Sequence, residues 1–354
     1  MRLKKDMVSY FTDDSQKLLK FNTWFSNAKN IVITSHQNPD GDAFGSGLGL
    51  TAFLKCFDFE SVTFISPTDY ADFLAWMPGV EEVVVFDPKN KTAVEKLINQ
   101  ADILFCCDFS SSERVKDMKA LLLGAKGRKI IIDHHEEPEE FADLIFWNQK
   151  ASSTCELVYQ LIDKLGHKEK INLATAKCLY TGLITDTGSF KYDSTNSEVH
   201  RIAGELLNIG VRPSTIYRDL FDNNTVDRLK FLGYVLNEKL VYLPEYRICY
   251  FYVSESELKK YNSKSGDTEG IVNYGLSISN VVMAVIFIEK DGIIKISFRS
   301  VEDFSVSEIA RTHFDGGGHK NAAGGRSLKT LEETVEKFLN LLPFYKNQLL
   351  LQPN

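Results

Sequence analysis

The stretch Ile31-Val-Ile-Thr-Ser-His36-Gln-Asn-Pro-Asp40-Gly-Asp42 sets one imidazole and two carboxylates within seven residues, at the end of an apolar run. Three other places in the chain finish in the same way. Asp108 follows Ile103-Leu-Phe-Cys-Cys, Asp133-His134-His135 closes Lys129-Ile-Ile-Ile, and Asp186 sits in Tyr180-Thr-Gly-Leu-Ile-Thr-Asp-Thr-Gly-Ser-Phe190. Carboxylates with a few imidazoles and no thiolate suit Mn²⁺ or Mg²⁺ better than structural zinc, and this many anionic ligands could hold two ions. Two divalent ions roughly 3.5 to 4 Å apart can share a hydroxide and clamp a phosphoryl group. Hydrolysis of a phosphate ester follows from that chemistry.

Each residue taken alone has a plainer reading. Asp40 or Asp42 would serve as a helix N-cap, Asp108 as a turn residue, His134-His135 as polar residues at a strand end, and Asp186 as a cap. Their repetition at successive strand ends is what points to a shared site.

Such convergence needs a scaffold, and the pattern supplies one. Residues 14–28 have apolar positions at helical spacing, and 30–35 read as a strand. A helix over 41–57 follows, in which Gly45, Gly47 and Gly49 lower helix propensity, a cost offset by close packing against a sheet. Strands over 61–65, 82–85, 102–107 and 129–133 alternate with helical segments near 70–76, 91–99 and 112–123. That alternation predicts an α/β fold, a doubly wound, mainly parallel sheet covered on both faces. In open sheets of this kind ligands bind beyond the carboxyl ends of the strands.

From Ser152 to about Leu236 the pattern is helical, with a capping box at Ser153-x-x-Glu156 and helices near 173–184, 197–207 and 225–236. Asp222-Asn-Asn-Thr marks a boundary. Beyond it, 239–243, 247–253, 279–288 and 293–299 are β-rich, with helices near 267–274, 305–312 and 328–342. The expected organisation is a catalytic domain over 1–221, a linker helix region over 222–238, and a smaller α+β domain with a mixed sheet over 239–354. No internal repeat or low-complexity segment interrupts it.

The bulk numbers set limits on function. A chain of 354 residues, 44% hydrophobic and 25% charged, is of ordinary globular composition. A net charge of −7 argues against tracking long nucleic acid, which needs a basic surface. The longest apolar run, Val281 to Ile288, is far too short to span a bilayer, and Met1-Arg-Leu-Lys-Lys lacks the apolar region of a signal peptide. A cytoplasmic protein without membrane association is expected. The six cysteines show no CxxC spacing and read as buried free thiols.

In the second half, Gly316-Gly317-Gly318-His319 would let backbone N–H groups approach an anion, with the histidine as a directional donor. Arg299, ending a strand nearby, adds a guanidinium fork suited to phosphate oxygens. Phe190 could stack a base, although core packing is the commoner fate of such a residue. His167, His200 and His313 lack carboxylate partners and read as structural or solvated.

The motifs together resemble the DHH phosphoesterases, named for the triplet present here as Asp133-His134-His135. His36-x-x-x-Asp40-x-Asp42, Asp108 with Ser110-Ser-Ser-Glu-Arg114, and Thr185-Asp186-Thr-Gly-Ser look like the family's other motifs in the family's order. Phe298-Arg299-Ser300 and Gly316-Gly-Gly-His319-x-x-Ala-Ala-Gly-Gly325 look like the DHH-associated substrate-binding domain, and Glu269-Gly-Ile-Val-Asn273 sits where that domain often has a helix.

The resemblance covers nearly the whole chain and extends to the subfamily that includes the nano-RNases, which are often also 3′-phosphoadenosine 5′-phosphate phosphatases. It implies one ion on His36, Asp40 and Asp108 and a second on Asp42, Asp108, His134 and Asp186, with Asp108 bridging. It further implies that His135 contacts the scissile phosphate while Asp133 orients its histidine neighbours. Arg299, Ser300, Gly316, Gly317, Gly318 and His319, with Arg114, would bind substrate. Arg114 would equally suit a surface salt bridge.

The expected enzyme is a Mn²⁺-dependent phosphodiesterase and phosphatase, with Mg²⁺ as the alternative ion. Its substrates would be short single-stranded RNA and adenosine 3′,5′-bisphosphate, bound in a cleft between the two domains, and the protein would be a monomer or homodimer. The competing readings are a pApA or cyclic di-AMP phosphodiesterase, an exopolyphosphatase or pyrophosphatase, a RecJ-type exonuclease, and a nucleotide-binding regulator without turnover. The absence of an attached membrane or sensory domain favours a stand-alone scavenger.

Overall fold

The computed structural model describes residues 15–136, 138–264 and 266–353. The chain divides into two compact units, one ending at Asn223 and the other beginning at Asn224.

In the first unit the elements run α1 (Ser15–Asn27), β1 (Asn30–Thr34), α2 (Gly41–Leu54), β2 (Ser61–Ser66), β3 (Val84–Val85), α3 (Lys91–Gln100), β4 (Ile103–Cys107), α4 (Lys119–Gly124), β5 (Arg128–Asp133), β6 (Leu144–Trp147), α5 (Thr154–Lys164), α6 (Leu173–Asp186), α7 (Ser197–Asn208) and α8 (Pro213–Leu220). The strands form one sheet in the order β3-β2-β1-β4-β5-β6. Every pairing in it is parallel. The apolar runs are nearly continuous because both faces are covered: Ile31 and Ile33 enter one core while Val32 between them enters another. The connections from β1 run to β2 on one side, whereas β4 lies on its other side, so the strand order reverses between β1 and β4. His36 and Asp108 follow these two strands.

The glycines of α2 do a different job from the one their sequence suggests. Only Gly47 faces the sheet, where a Cβ would meet the Phe64 ring. Gly45 and Gly49 instead face α6: a Cβ on Gly45 would lie 2.6 Å from the Cys178 carbonyl oxygen, and one on Gly49 would lie 2.9 Å from Leu179. Gly182 of α6 completes the contact, since a Cβ there would collide with Cys155 Sγ and lie 2.6 Å from Asp42 Oδ1. Small residues therefore bring together the two helices that carry Asp42 and Asp186.

Several expected elements take another form. Residues 70–76 contain only a 3₁₀ turn at Asp72–Leu74. The segment from 112 is a 3₁₀ helix, Ser112–Met118, broken at Lys116 (φ 47°) before α4 begins. Strand β6 was not anticipated, because four apolar residues are too short to show a period. The capping box at Ser153 is half made. The Ser153 hydroxyl accepts from Glu156 N at 3.1 Å, but the Glu156 carboxylate takes the N–H of Ser152 at 2.7 Å, one residue upstream of the cap.

The second unit runs α9 (Val226–Glu238), β7 (Leu240–Leu243), β8 (Ile248–Val253), α10 (Glu255–Lys260), α11 (Ile271–Leu276), β9 (Met283–Lys290), β10 (Ile293–Ser300), α12 (Val306–His313), β11 (Gly317–His319), β12 (Ala322–Ser327) and α13 (Leu331–Leu350). Its sheet is mixed, in the order β11-β12-β10-β9-β8-β7, with β8 and β9 parallel and the rest antiparallel. Helix α9, in the segment read as a linker, buries Phe231 and Val235 in this unit's core. Helix α13 continues through Pro343 instead of stopping before it. Among the described residues no helix is long and apolar enough to cross a membrane.

The α2–α6 contact is testable. Gly182→Ala is expected to destabilise the protein by about 1–3 kcal/mol through overpacking, measured by urea denaturation. An unchanged midpoint would mean that the two helices separate without cost.

Candidate metal centre

The strand ends bring the sequence-predicted ligands together in the first unit. His36 Nδ1 donates to the Gln37 carbonyl at 2.8 Å, since a carbonyl only accepts, and this turns Nε2 toward the carboxylates. That Nε2 lies 3.8 Å from Asp40 Oδ2 and 3.4 Å from Asp108 Oδ2. His134 repeats the arrangement. Its Nδ1 meets the Ala151 carbonyl at 3.2 Å. Its Nε2 lies 3.2 Å from Asp186 Oδ2, 3.6 Å from Asp108 Oδ1 and 3.8 Å from Asp42 Oδ2. The two oxygens of Asp108 thus serve two different groups.

Within each group, His36/Asp40/Asp108 and Asp42/His134/Asp186, one atom per residue lies within 4.8 Å of the others. Ligands on one ion with bonds near 2.1 Å stand roughly 3 to 3.5 Å apart. The observed separations are close to that and mostly too long for hydrogen bonds. The donors are hard oxygens and imidazole nitrogens, and among the described residues no lysine or arginine is ion-paired with any of these carboxylates. The donor set therefore fits divalent cations of the Mn²⁺ or Mg²⁺ kind.

Local structure explains each placement. Asp40 does cap α2, as its position suggested: Oδ1 accepts from Asp42 N at 3.1 Å and Ala43 N at 3.0 Å, leaving Oδ2 turned toward His36. Asp42 does not cap its own helix. Its carboxylate takes the first N–H groups of α5, from Thr154 at 2.6 Å and Cys155 at 2.9 Å. Asp108 stands at φ +66°, a left-handed conformation that aspartate tolerates better than most residues. Its N–H is held by the Ile132 carbonyl at 3.0 Å. Asp186 is the last residue of α6, where the helix dipole disfavours a carboxylate.

Burial and mutual repulsion show in the ionisation behaviour. Burial pushes Asp42 well above the usual carboxylate range, with the charges of Asp108 and Asp186 adding to it. Burial likewise raises Asp186 to about 6, partly opposed by its hydrogen bond to His134. Asp108 is held well below its ordinary value: burial works against this, but the hydrogen bond from His36 and the charges of all three histidines prevail. His134 is raised well above its ordinary value in spite of burial, by Asp186 first. Protons stand in these positions for the positive charge that the cluster calls for.

Asp133 and His135 form a pair on the other flank of Asp108, whose Oδ1 lies 3.6 Å from His135 Nδ1. Asp133 is fully buried and its Oδ1 takes His135 Nδ1 at 2.8 Å, so that Nε2 is the nitrogen left for other partners. The His135 carbonyl accepts Trp147 Nε1 at 2.6 Å, which makes the unanticipated β6 part of the site's support. Arg114 follows Asp108 on the 3₁₀ helix, and its carbonyl accepts Gln37 N at 2.7 Å. Burial and the nearby Arg114 charge lower His36, but the hydrogen bond with Asp108 and the charge of Asp40 raise it on balance; Arg114 has no carboxylate partner among the described residues, so the alternative reading as a surface salt bridge is not met.

Thr154 escaped the sequence analysis. Its hydroxyl donates to Asp108 Oδ1 at 2.9 Å. The signal, Ser152-Ser-Thr154 opening a helix, was legible only as capping.

In the second unit the glycine-rich segment is an edge strand rather than a loop. Arg299 pairs with Ala322, and Ala322 with His319. Residues directly opposite one another in a sheet share a face, so Arg299 and His319 flank the small Ala322 on one face, while Phe298 and Ala323 bury the other. Ser300 is turned inward, its hydroxyl donating to the Phe304 carbonyl at 2.6 Å. Gly316 and Gly318 are structural: a Cβ would lie 2.6 Å from Gly325 Cα or from the Ala322 carbonyl oxygen respectively. Gly317 has open space around it, with nothing nearer than 3.8 Å. His313 is structural as read, with Nε2 2.9 Å from the Tyr345 hydroxyl.

Two family models match, the DHH family N-terminal domain over residues 30–183 and the DHHA1 domain over 245–343. The chain belongs to the DHH phosphoesterase family. It is 31% identical to the bifunctional oligoribonuclease and PAP phosphatase NrnA of Thermus thermophilus, over 85% of each chain. It is 28% identical to the protein of the same description from Bacillus subtilis, over 83% of this chain and 88% of that one. A crystal structure of an exopolyphosphatase-related protein from Bacteroides fragilis superposes with a TM-score of 0.90 at 40% identity, covering 94% of this chain and 97% of the other. The DHH triplet and the ligand groups around Asp108 lie within, or three residues beyond, the first matched domain.

Two outcomes follow for this DHH protein. Folding raises Asp186 from 3.8 to about 6, so the metal-free form loses stability as pH rises through about 6, and a divalent cation taking the proton's place would reverse that loss. Mn²⁺ affinity measured by calorimetry is accordingly expected to fall as pH drops through about 6; a flat profile between pH 5 and 8 would contradict it. Thr154→Val, which removes a hydrogen bond to Asp108, is expected to weaken Mn²⁺ binding about 10-fold or more, and unchanged affinity would remove Thr154 from the centre.

Proposed function

We propose that this protein is a Mn²⁺-dependent phosphoesterase that hydrolyses short oligoribonucleotides to 5′-mononucleotides. The same site removes the 3′-phosphate from adenosine 3′,5′-bisphosphate. The observation that carries the reading is the division of Asp108: one carboxylate oxygen faces His36 and the other faces His134. The names of the Thermus and Bacillus relatives support the substrate class.

His36, Asp40 and Asp108 would hold one ion, and Asp42, Asp108, His134 and Asp186 the other. Ions bound there would supply an acidified water and positive charge for the phosphoryl oxygens. The protein's own groups do the rest. Asp133 fixes the imidazole of His135 with Nε2 outward, where it meets the scissile phosphate and can give a proton to the leaving oxygen. Arg114 offers an unpaired guanidinium to the same phosphate. Arg299 and His319, on one face of the second unit's sheet, bind another phosphate of the substrate. Gly317, the glycine whose Cα is unobstructed, lets that phosphate approach the edge strand's backbone, while Gly316, Gly318 and Ser300 shape the strand. The enzyme works in the cytoplasm.

A second reading has one observation in its favour, the exopolyphosphatase-related description of the Bacteroides fragilis structure. Purified protein with Mn²⁺ is expected to convert pApA to AMP, with activity declining as the oligonucleotide lengthens, and Asp108→Ala is expected to abolish turnover. Inert wild-type protein on di- to pentanucleotides, with phosphate release from polyphosphate, would favour the second reading instead.

A further inference from the structure

The segment that follows Asp186 is strained and firmly held. Gly188, Ser189 and Phe190 have φ of 55°, 64° and 64°. Three successive left-handed residues are uncommon, and a bulky phenylalanine there is an outlier. Such backbone persists where its surroundings over-determine it, and it clusters at functional sites. Here Thr187 does the fixing. Its carbonyl accepts Lys191 N at 2.9 Å and Tyr192 N at 3.0 Å. Its hydroxyl accepts Phe190 N at 2.9 Å and donates to the Leu183 carbonyl at 2.6 Å.

The turn sends its two aromatic rings in different directions. Phe190, the residue the sequence suggested for base stacking, packs against the first unit's core, its ring centroid 5.3 Å from His200 and 6.1 Å from Tyr180. Tyr192 lies over Gly188 instead: a Cβ on that glycine would be 2.5 to 2.8 Å from three ring carbons. Even so, Tyr192 is 47% exposed. Among the described residues its hydroxyl has no hydrogen-bond partner and its ring no aromatic or cationic neighbour. One face of the ring is backed by the Gly188 backbone, and nearly half of the residue is open to solvent. Gly188 is two residues from Asp186, so the ring stands within roughly 14 Å of that carboxylate, a span that a base, its sugar and its phosphate can bridge.

We propose that Tyr192 is the nucleobase platform of this enzyme, stacking the base of the nucleotide whose phosphate lies at the Asp108 and Asp186 carboxylates. The proposal rests on the phosphoesterase reading above and adds what selects a nucleotide over a bare phosphate. A ring already immobilised by Thr187 and Gly188 loses little freedom on stacking. Every base offers a π-face, so the contact tolerates any sequence. The glycine at 188 is explained twice, by its positive φ and by the ring that a side chain would displace.

Calorimetric binding of AMP and of ribose 5-phosphate to the Mn²⁺-loaded protein tests this without turnover. Wild type is expected to bind AMP about tenfold more tightly than ribose 5-phosphate. Tyr192→Ala is expected to erase that preference by weakening AMP alone, with ribose 5-phosphate serving as the control for an intact site, and Tyr192→Phe to keep it. A preference that survives Tyr192→Ala, one absent from wild type, or an equal loss for both ligands would overturn the proposal. Failure of wild type to cleave pApA is a separate result, which would strike the substrate reading and not this measurement.

Discussion

Concentrated negative charge is the constraint on which the first unit is built. Asp40, Asp42, Asp108, Asp133 and Asp186 gather around the imidazoles of His36, His134 and His135, in surroundings that leave Asp42, Asp108 and Asp133 almost wholly buried. Buried carboxylates of one sign cannot all ionise unless something positive is fixed among them. In the polypeptide alone the histidines and retained protons supply it. Divalent cations supply it better, and the positions of Nε2 on His36 and His134, each tied back through Nδ1 to a carbonyl, are those of ligands already oriented.

The scaffold meets the cost of this crowding with rigid parts. Three neighbouring strands of a fully parallel sheet, β1, β4 and β5, lead into site residues, with β1 and β4 adjacent at the point where strand order reverses, as in other open α/β sheets that bind ligands there. Asp108 accepts a left-handed backbone so that its two oxygens can face opposite ways. Helices α2 and α6 touch through glycine, which brings Asp42 beside Asp186. The free N–H groups at the start of α5 stabilise the Asp42 carboxylate, and Thr154 steadies Asp108. The left-handed backbone of Asp108 and the glycines inside α2 and α6 cost local stability, a pattern expected where binding rather than folding sets the residue choice.

Much of this was legible in the chain because ligand type and strand period are local properties. His36, Asp40, Asp42, Asp108, Asp133, His134, His135 and Asp186 each stand at the end of an apolar run or helix that alternation and 3.6-residue spacing reveal. What escaped depends on contacts between distant segments. Nothing near Thr154 says that its hydroxyl will meet Asp108, and nothing near Gly45 says that its neighbour will be α6 instead of the sheet. Strand β6 was too short to declare itself, and the low β-propensity of glycine hides the Gly316–Gly318 segment as a strand, since pairing with β12 decides its conformation. Phe190 and Tyr192 were indistinguishable by type; only the left-handed turn separates a core ring from an exposed one.

Anomalous diffraction at the manganese edge, from crystals of the wild-type protein grown with Mn²⁺, is the most direct measure of the central claim. Two peaks are expected, one on each side of the Asp108 carboxylate, the first bounded by His36 and Asp40 and the second by Asp42, His134 and Asp186. A single peak that leaves His36 and Asp40 without an ion, or none within bonding distance of Asp108, would contradict the account.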